Sequence, residues 1–512
     1  MQAHPLRPNM AMVLIAFAFL FGIMIAAVRL LQPDSAAYWN VQEQDASASM
    51  GAAGLSPGLQ QVSASGYAET PTPDQPHALP PLRTETEQYV VQPGDTLAQI
   101  AKEYGVSLAQ IVQANQLTNP DLVEVGVTLI IPPPNPQGNG PEFKIIPDSE
   151  LVYGPGTVGF DTAGFIQGQG GFLASYSEEV EGRELNGAQI VQRVAEEFSV
   201  NPRILLAVLE YQSGWVTQTA PQASQEFPLG WKDPYRVGLY RQLAWAANQL
   251  NRGFYLWRVN GASTWVLADG STILISPLIN AGTAGVQHLF ANLYDRSSWE
   301  KAVTEAGVFN TFNTLFGSPF ALAVEPLLPA DLTQPTLQLP FEPGQVWSFT
   351  GGPHGGWGDG SAWASLDFAP PGEALGCVQS DHWVVAMADG LVVRTGDGVV
   401  MQDLDGDGYE QTGWALLYMH IESRDRVAPG TYLRAGDRVG HPSCEGGVST
   451  GTHVHIARKY NGEWIPADQD LPFNLDGWIS AGTGYEYNGT LHRNGQTVEA
   501  YAGRSTGNGI QR

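Results

Sequence analysis

Apolar residues change their spacing along this chain, and each change marks a different kind of structure. Residues 9–28 are almost wholly apolar, a run long enough to cross a bilayer. Residues 32–87 are rich in Ala, Ser, Gly, Pro and Gln and keep no period, which predicts a flexible tether. In residues 89–132 a short strand leads into two small amphipathic helices and a closing strand. Leu97, Ile100 and Ala101 give the first helix its apolar face, and Leu108, Ile111 and Val112 the second. Thr96 and Ser107 stand where caps are needed. Between 186 and 255 the period is helical again, through Ile190, Val194, Ala195 and Phe198, then Ile204, Leu205, Val208 and Leu209, then Trp245 and Leu250. Asn201 and Pro202 read as the cap and first turn of one of these helices, and 277–292 as a further helix. Beyond Leu337, short apolar stretches alternate with Gly and Asp turns, the signature of antiparallel hairpins.

A multidomain chain follows. The expected divisions are a signal peptide or anchor (1–31), a tether (32–87), a small βααβ module (88–133), a linker (134–172), a mainly α-helical middle domain (173–317), a Pro-rich linker (318–336) and an antiparallel β-sheet domain (337–512).

Composition narrows the setting. The chain has 25 basic and 51 acidic residues, a formal net charge of -26, which argues against a nucleic-acid partner. Arg7 precedes the apolar run, favouring a cytoplasmic N-terminus and an exported remainder. Ser35-Ala36-Ala37 offers a small-x-small cleavage site, so the run serves either as a cleaved signal or as a single-pass anchor. Both place the bulk in the cell envelope or outside the cell. Only Cys377 and Cys444 exist; in an oxidising compartment they can pair, or they stay as free thiols, and no C-x-x-C spacing makes them metal ligands.

Val91-Gln92-Pro93-Gly94-Asp95-Thr96-Leu97, Asn115 and the closing Leu129-Ile130-Ile131-Pro132 resemble the LysM module. Members of that family bind the N-acetylglucosamine backbone of peptidoglycan or chitin. The resemblance implies glycan contacts at Gly94, Asp95, Thr96, Asn119, Pro120, Asp121 and Leu122.

Residues 201–215 resemble the lysozyme-like lytic transglycosylases, which carry an acid Glu immediately before the Ser of a Glu-Ser-Gly motif. Gln212 fills that position here and cannot donate a proton as a general acid. Glu210 lies two positions earlier and on a helix points elsewhere. The expectation is a degenerate lysozyme-like region that binds or spaces.

Chemistry concentrates near the C-terminus. His354 follows Gly-Gly-Pro, Asp367 lies thirteen residues later, His420 follows Tyr-Met, and His453 and His455 form a His-x-His. Positions i and i+2 of a strand share a face, so the last two can meet one site. Two imidazoles and a carboxylate suit a Zn2+ ion with one position open for water, and a nearby histidine can take the proton. Spacing alone leaves open which three would bind. Gly351-Gly352-Pro353-His354, Ser365-Leu366-Asp367-Phe368, Tyr418-Met419-His420 and Gly451-Thr452-His453-Val454-His455 resemble the M23 zinc endopeptidases, the LasA-like staphylolytic subgroup more than the lysostaphin one. The resemblance implies His354, Asp367 and His455 as metal ligands and His420 and His453 as catalytic residues flanking the attacking water. His382 and His441 have no role in it and are expected in loops or at a sheet edge. Asp403, Asp405 and Asp407 alternate before Gly, as in a calcium loop, but Trp414 stands where the bidentate Glu belongs. A tight acidic turn and a partial Ca2+ site are the two readings.

The function these resemblances imply is a zinc-dependent endopeptidase that cleaves peptide cross-links of bacterial peptidoglycan, held on the glycan by its LysM module. Its partners would be the N-acetylglucosamine-containing glycan, the peptide stems or cross-bridges, and a membrane if residues 9–28 stay attached. The alternatives are a non-catalytic peptidoglycan-binding scaffold or activator, and a glycan-cleaving enzyme acting through the helical region.

Overall fold

In the computed structural model, residues 77–512 are described, apart from 93–94, 120–122, 222 and 373. The apolar run 9–28 and the tether up to residue 76 lie outside them. Among the described residues no helix is long and apolar enough to cross a membrane.

The first unit is the βααβ module. Strand β1 (Glu87–Val90) pairs antiparallel with β2 (Thr128–Ile131), and helices α1 (Leu97–Glu103) and α2 (Leu108–Ala114) lie between them in sequence. Thr96 and Ser107 each close a capping box, with Gln99 and Gln110. Asn115, one of the residues that carry the LysM resemblance, follows α2 directly. Its side chain accepts from Ile130 N and donates to the carbonyls of Ile111 and Ile130, locking α2 to β2.

The second unit combines a helical layer with a large sheet. The helical layer contains α3 (Thr162–Gln169), the hairpin β3 (Ser177–Val180) and β4 (Arg183–Asn186), then α4 (Gly187–Phe198), α5 (Pro202–Ser213) and α6 (Leu239–Arg258). A second hairpin, β5 (Thr264–Val266) and β6 (Thr272–Leu274), precedes α7 (Ala281–Leu293), α8 (Arg296–Ala302) and α9 (Asn310–Phe316). Asn186 caps α4; Asn201 caps α5 and Pro202 opens it, as the sequence predicts.

Two stretches expected as linkers are packed structure. In 134–172, Ile145, Ile146, Leu151, Val152 and Ile166 are fully buried in the helical core. Glu150, also fully buried, receives Nε and Nη2 of Arg203 at 2.9 and 2.7 Å and Nδ2 of Asn201 at 3.0 Å, pinning the segment to α5. In 318–336, Phe320 and Leu327 enter the same core. Pro and Gly broke the period there without removing the apolar residues that the helices bury.

The β domain follows with β7 (Val346–His354), β8 (Ser365–Ala369), β9 (Val384–Val385), β10 (Gly390–Gly396), β11 (Val399–Asp403), β12 (Trp414–Met419), β13 (Tyr432–Leu433), β14 (Arg438–Gly440), β15 (Val454–Tyr460) and β16 (Glu463–Trp464). An accessory sheet, β17 (Asn474–Leu475) to β20 (Gln496–Glu499), precedes β21 (Gly509–Gln511). The main sheet runs β13-β10-β11-β12-β15-β8-β7-β21, with β16 beside β15, and every pairing is antiparallel.

Its two faces belong to different cores. Leu366, Phe368, Val400, Leu416, Tyr418, Val454 and Ile456 form one core with the accessory strands. Val399, Met401, Ala415, Leu417, Met419 and Ala457 point to the other side and join the core of the helices. Trp464 belongs to that core too, its backbone N–H donating to Tyr255 Oη at 2.8 Å. Charges cross the seam in pairs. Buried Lys459 binds Glu410 at 2.8 Å, which also takes Arg394 at 2.6 Å, and Arg394 lies 3.7 Å from Glu196 of α4. Buried charges persist only when paired in this way.

Candidate metal centre

The helix-facing side of the sheet also carries the histidines. In β15 His455 shares its face with Ala457 and stands opposite Asp367 of β8 on one side and Met419 of β12 on the other. His354 closes β7, whose register against β8 shifts twice between Phe349 and His354. Such bulges re-aim a side chain, and here Ser365 Oγ fixes the bend by donating to His354 O and Gly355 O at 2.8 and 2.9 Å.

The three side chains converge. His354 Nε2 lies 3.0 Å from His455 Nδ1, and Asp367 Oδ1 lies 3.3 and 3.2 Å from these two nitrogens. Backbone carbonyls decide the tautomers, because a carbonyl can only accept. His354 Nδ1 faces Gly352 O at 2.7 Å and His455 Nε2 faces Gly356 O at 3.2 Å. Each of those nitrogens therefore carries the proton, and the converging nitrogens present lone pairs. Asp367 Oδ1 is buried with no hydrogen-bond donor. Three acceptors directed at one point call for a cation, and this donor set fits Zn2+.

His420 and His453 stand beside this cluster, their ring centroids 4.5 Å apart. His453 Nε2 is 3.7 Å from Asp367 Oδ1, and the His420 ring lies 6.1 Å from that of His455. Their Nδ1 atoms donate to Gly451 O at 2.7 Å and Glu445 O at 3.0 Å. Both Nε2 atoms are thereby left as acceptors. His420 has a left-handed backbone, φ 64°, where β12 ends, a conformation rare outside glycine.

Electrostatics differentiate the group. Burial pulls His420 down to about 3, helped by His453 and His455, so it is neutral near pH 7. His455 is also lowered, chiefly by burial. For Asp367, burial favours the neutral acid, but His354 and His453 outweigh it and hold the carboxyl well below its usual range. Burial likewise opposes charge on His354, and Asp367 reverses it, raising that imidazole.

Tyr487 belongs to the site and was missed from sequence. It stacks on His354 at 4.2 Å between centroids, and its backbone exchanges hydrogen bonds with Gly352 and Pro353. Glu486 beside it accepts from Gly355 N at 3.3 Å. No period or motif marks these residues; a loop from the accessory sheet brings them in.

The other expected residues fall as follows. Cys377 and Cys444 form a disulfide, with Cα atoms 5.7 Å apart. Asp403, Asp405 and Asp407 place carboxylate oxygens within 4.8 Å of one another, an arrangement that fits a Ca2+ site. The same carboxylates accept the backbone N–H groups of Asp405, Gly406, Gly408, Asp407 and Tyr409, which also makes the loop a tight turn. Glu410 turns inward to Lys459 and is not offered to it. His441 lies just past the end of β14 and is buried, its ring centroid 3.9 Å from that of Trp383 and its Nδ1 bonded to His382 O. In the LysM module Gly94, Pro120, Asp121 and Leu122 lie outside the described residues. Asp95 accepts from Tyr89 Oη and Gln92 N at 2.7 Å, Thr96 caps α1, and Asn119 is exposed.

Gln212 gives the glycan-cleaving alternative no acid. Its Nε2 donates to Leu229 O at 2.8 Å and its Oε1 accepts from Tyr294 Oη. Glu210 is spent on the following turn, accepting from Val216 N, Thr217 N and Thr217 Oγ1.

Fold and site together define a chain with an M23-type metalloendopeptidase fold, an N-terminal LysM module and a LasA-like domain between them. The model of the LasA N-terminal domain matches residues 144–330, and that of the LysM domain residues 89–132. Protease LasA of Pseudomonas aeruginosa (strain UCBPP-PA14) is 26% identical over 290 residues, 52% of this chain and 65% of that protein. The chain thus spans 65% of the length of that relative. Beta-lytic metalloendopeptidase of Lysobacter enzymogenes is 29% identical over 159 residues, 31% of this chain and 85% of that protein. Among solved structures, the M23 metalloprotease pseudoalterin from the deep sea is 24% identical, covering 36% of this chain and 100% of its own, with a TM-score of 0.29.

Proposed function

We propose that this protein is an exported zinc-dependent endopeptidase acting on the peptide cross-links of bacterial peptidoglycan. The observation that carries the reading is the convergence of His354 Nε2, His455 Nδ1 and the donor-less Asp367 Oδ1, with two further imidazoles alongside. These three residues hold the ion. When bound, Zn2+ polarises the scissile carbonyl and makes water a nucleophile near neutral pH.

His420 and His453 do the proton work. Each has Nδ1–H tied to a carbonyl and Nε2 free, so each can accept a proton from the attacking water or, once protonated, donate to the developing oxyanion. His420 brings its Nε2 lone pair to this pair from the end of β12. Tyr487 keeps the His354 ring in plane by stacking.

The LysM module holds the catalytic unit on glycan through Asp95, Thr96 and Asn119, with Gly94, Pro120, Asp121 and Leu122 as the further contacts that the family resemblance implies. Tethering of this kind raises the local peptide concentration without new catalytic contacts. Likeness to protease LasA and the apolar run 9–28 support work in the cell envelope or outside the cell, with that run as signal or anchor.

Mass spectrometry of peptidoglycan fragments tests the reading. Wild type should release fragments with new amino termini, lose this activity with a chelator and regain it with Zn2+. Full activity in His455→Ala, or products with new sugar ends only, overturns it.

A further inference from the structure

The two histidines beside the metal cluster take their orientation from one segment. Glu445 O accepts from His420 Nδ1 and Gly451 O from His453 Nδ1. Between these carbonyls lie Gly446, Gly447, Val448, Ser449 and Thr450, a stretch whose two glycines both have positive φ. Such a sequence does not hold its own shape. Cys444 stands next to Glu445 and carries the chain's one disulfide, to Cys377.

Around the bridge the contacts all lead to the same two imidazoles. Ser443 N and Oγ donate to His420 O at 2.7 and 3.0 Å, and His453 N donates to Ser443 O at 3.3 Å. On the other side of the bridge, Thr452 N donates to Gly376 O at 3.1 Å, and Val378 N donates to Thr452 Oγ1 at 2.9 Å. Gly376 and Val378 flank Cys377, and Thr452 precedes His453. Ser449 Oγ lies 3.3 Å from Cys444 Sγ and 3.4 Å from His453 Nδ1. The disulfide thus adjoins Glu445, whose carbonyl fixes His420, and reaches Gly451, whose carbonyl fixes His453, through the Gly376–Thr452 contact. None of its immediate contacts reaches His354, Asp367 or His455.

We propose that the Cys377–Cys444 disulfide is a positioning element for proton transfer: it holds the 445–451 segment so that His420 and His453 keep Nδ1–H and present Nε2 to the water. The proposal rests on the endopeptidase reading above for what those imidazoles do. It separates two jobs within the site, because the metal ligands are held by the sheet and the proton carriers by a stapled loop. Cys377 is exposed, so the bridge is open to small reductants. A phosphine cleaves it by attack on one sulfur; water then releases two thiols as the phosphine is oxidised to its oxide. Catalysis then depends on an oxidising environment although zinc binding does not.

The test uses the full-length chain with 15N-labelled histidine, comparing wild type with the Cys377→Ser/Cys444→Ser variant. Long-range nitrogen–proton correlation spectra distinguish Nδ1–H from Nε2–H rings. The proposal expects the variant to bind one Zn2+ as wild type does, to lose the single-tautomer signals of His420 and His453, and to fall at least about tenfold in kcat at unchanged KM. Should the variant fail to fold, folded wild type reduced in place with a phosphine supplies the same readouts, and reoxidation should restore them. Unchanged tautomers and kcat in the bridge-free protein overturn the proposal, as does loss of zinc in step with activity. If wild type cleaves no peptide, the endopeptidase reading fails, and the tautomer spectra still decide whether the bridge holds the rings.

Discussion

Asp367 and His455 face each other across neighbouring antiparallel strands, with Oδ1 of one 3.2 Å from Nδ1 of the other. Two rigid strands hold this pair, so the metal ligands are preorganised by the same hydrogen bonds that build the sheet.

Asp367→Asn removes the charge and keeps the shape. Zinc affinity should fall by more than about 100-fold, measured by competition with a chelator. The sheet should survive, with circular dichroism unchanged. Wild-type zinc affinity would remove Asp367 from the ligand set.

Gly356 supplies the carbonyl that orients His455, and it packs on Trp464: a Cβ added at Gly356 would lie 2.8 Å from Trp464 Cε3. Gly356→Ala should therefore destabilise the chain by about 1–3 kcal/mol and weaken zinc binding together. Chemical denaturation and zinc titration of one preparation check both. A stability loss with zinc affinity intact would uncouple the seam from the site.

Gln212→Glu should not create a glycan-cleaving enzyme. The new carboxylate would face the Leu229 carbonyl that now accepts from Gln212 Nε2. A loss of about 1 kcal/mol is expected at this partly exposed position, and digests should contain no anhydro-sugar ends. Appearance of such ends would revive a decayed acid site.

Glu410 gives the seam an acid limit. Burial opposes its charge, but Arg394 and Lys459 prevail and hold it at about 2, against an ordinary value of 4.5. The unfolded chain therefore binds a proton there first as pH falls. The stabilisation is complete above about pH 4.5, declines between there and about pH 2, and contributes at most about 1.4 kcal/mol per pH unit. Glu410→Gln should lose stability at pH 7 and flatten the curve in that window, read by denaturation at a series of pH values. An unchanged pH slope would show the group is not linked to folding.

Legibility from sequence followed the range of the cause. Thr96, Ser107 and Asn201 cap the helices expected of them because a cap acts within three residues. The five chemical residues of the metal centre were visible as spaced motifs, since strand parity places His453 and His455 together. Tyr487 was not, because a distant loop delivers it to His354. Nor was the packing of residues 134–172, where Ile145 and Ile146 look like fragments of a linker until the helical core, with α7 alongside, buries them. The bulge that turns His354 inward depends on Ser365 across the sheet, which no local pattern encodes.

The helical layer and the metal cluster share one face of the sheet, so the helices bound the open floor beside the cluster. Ala457, two positions beyond His455, is already under the helices. A peptide laid along β15 in that direction has roughly 7 Å of floor, enough for about two extended residues.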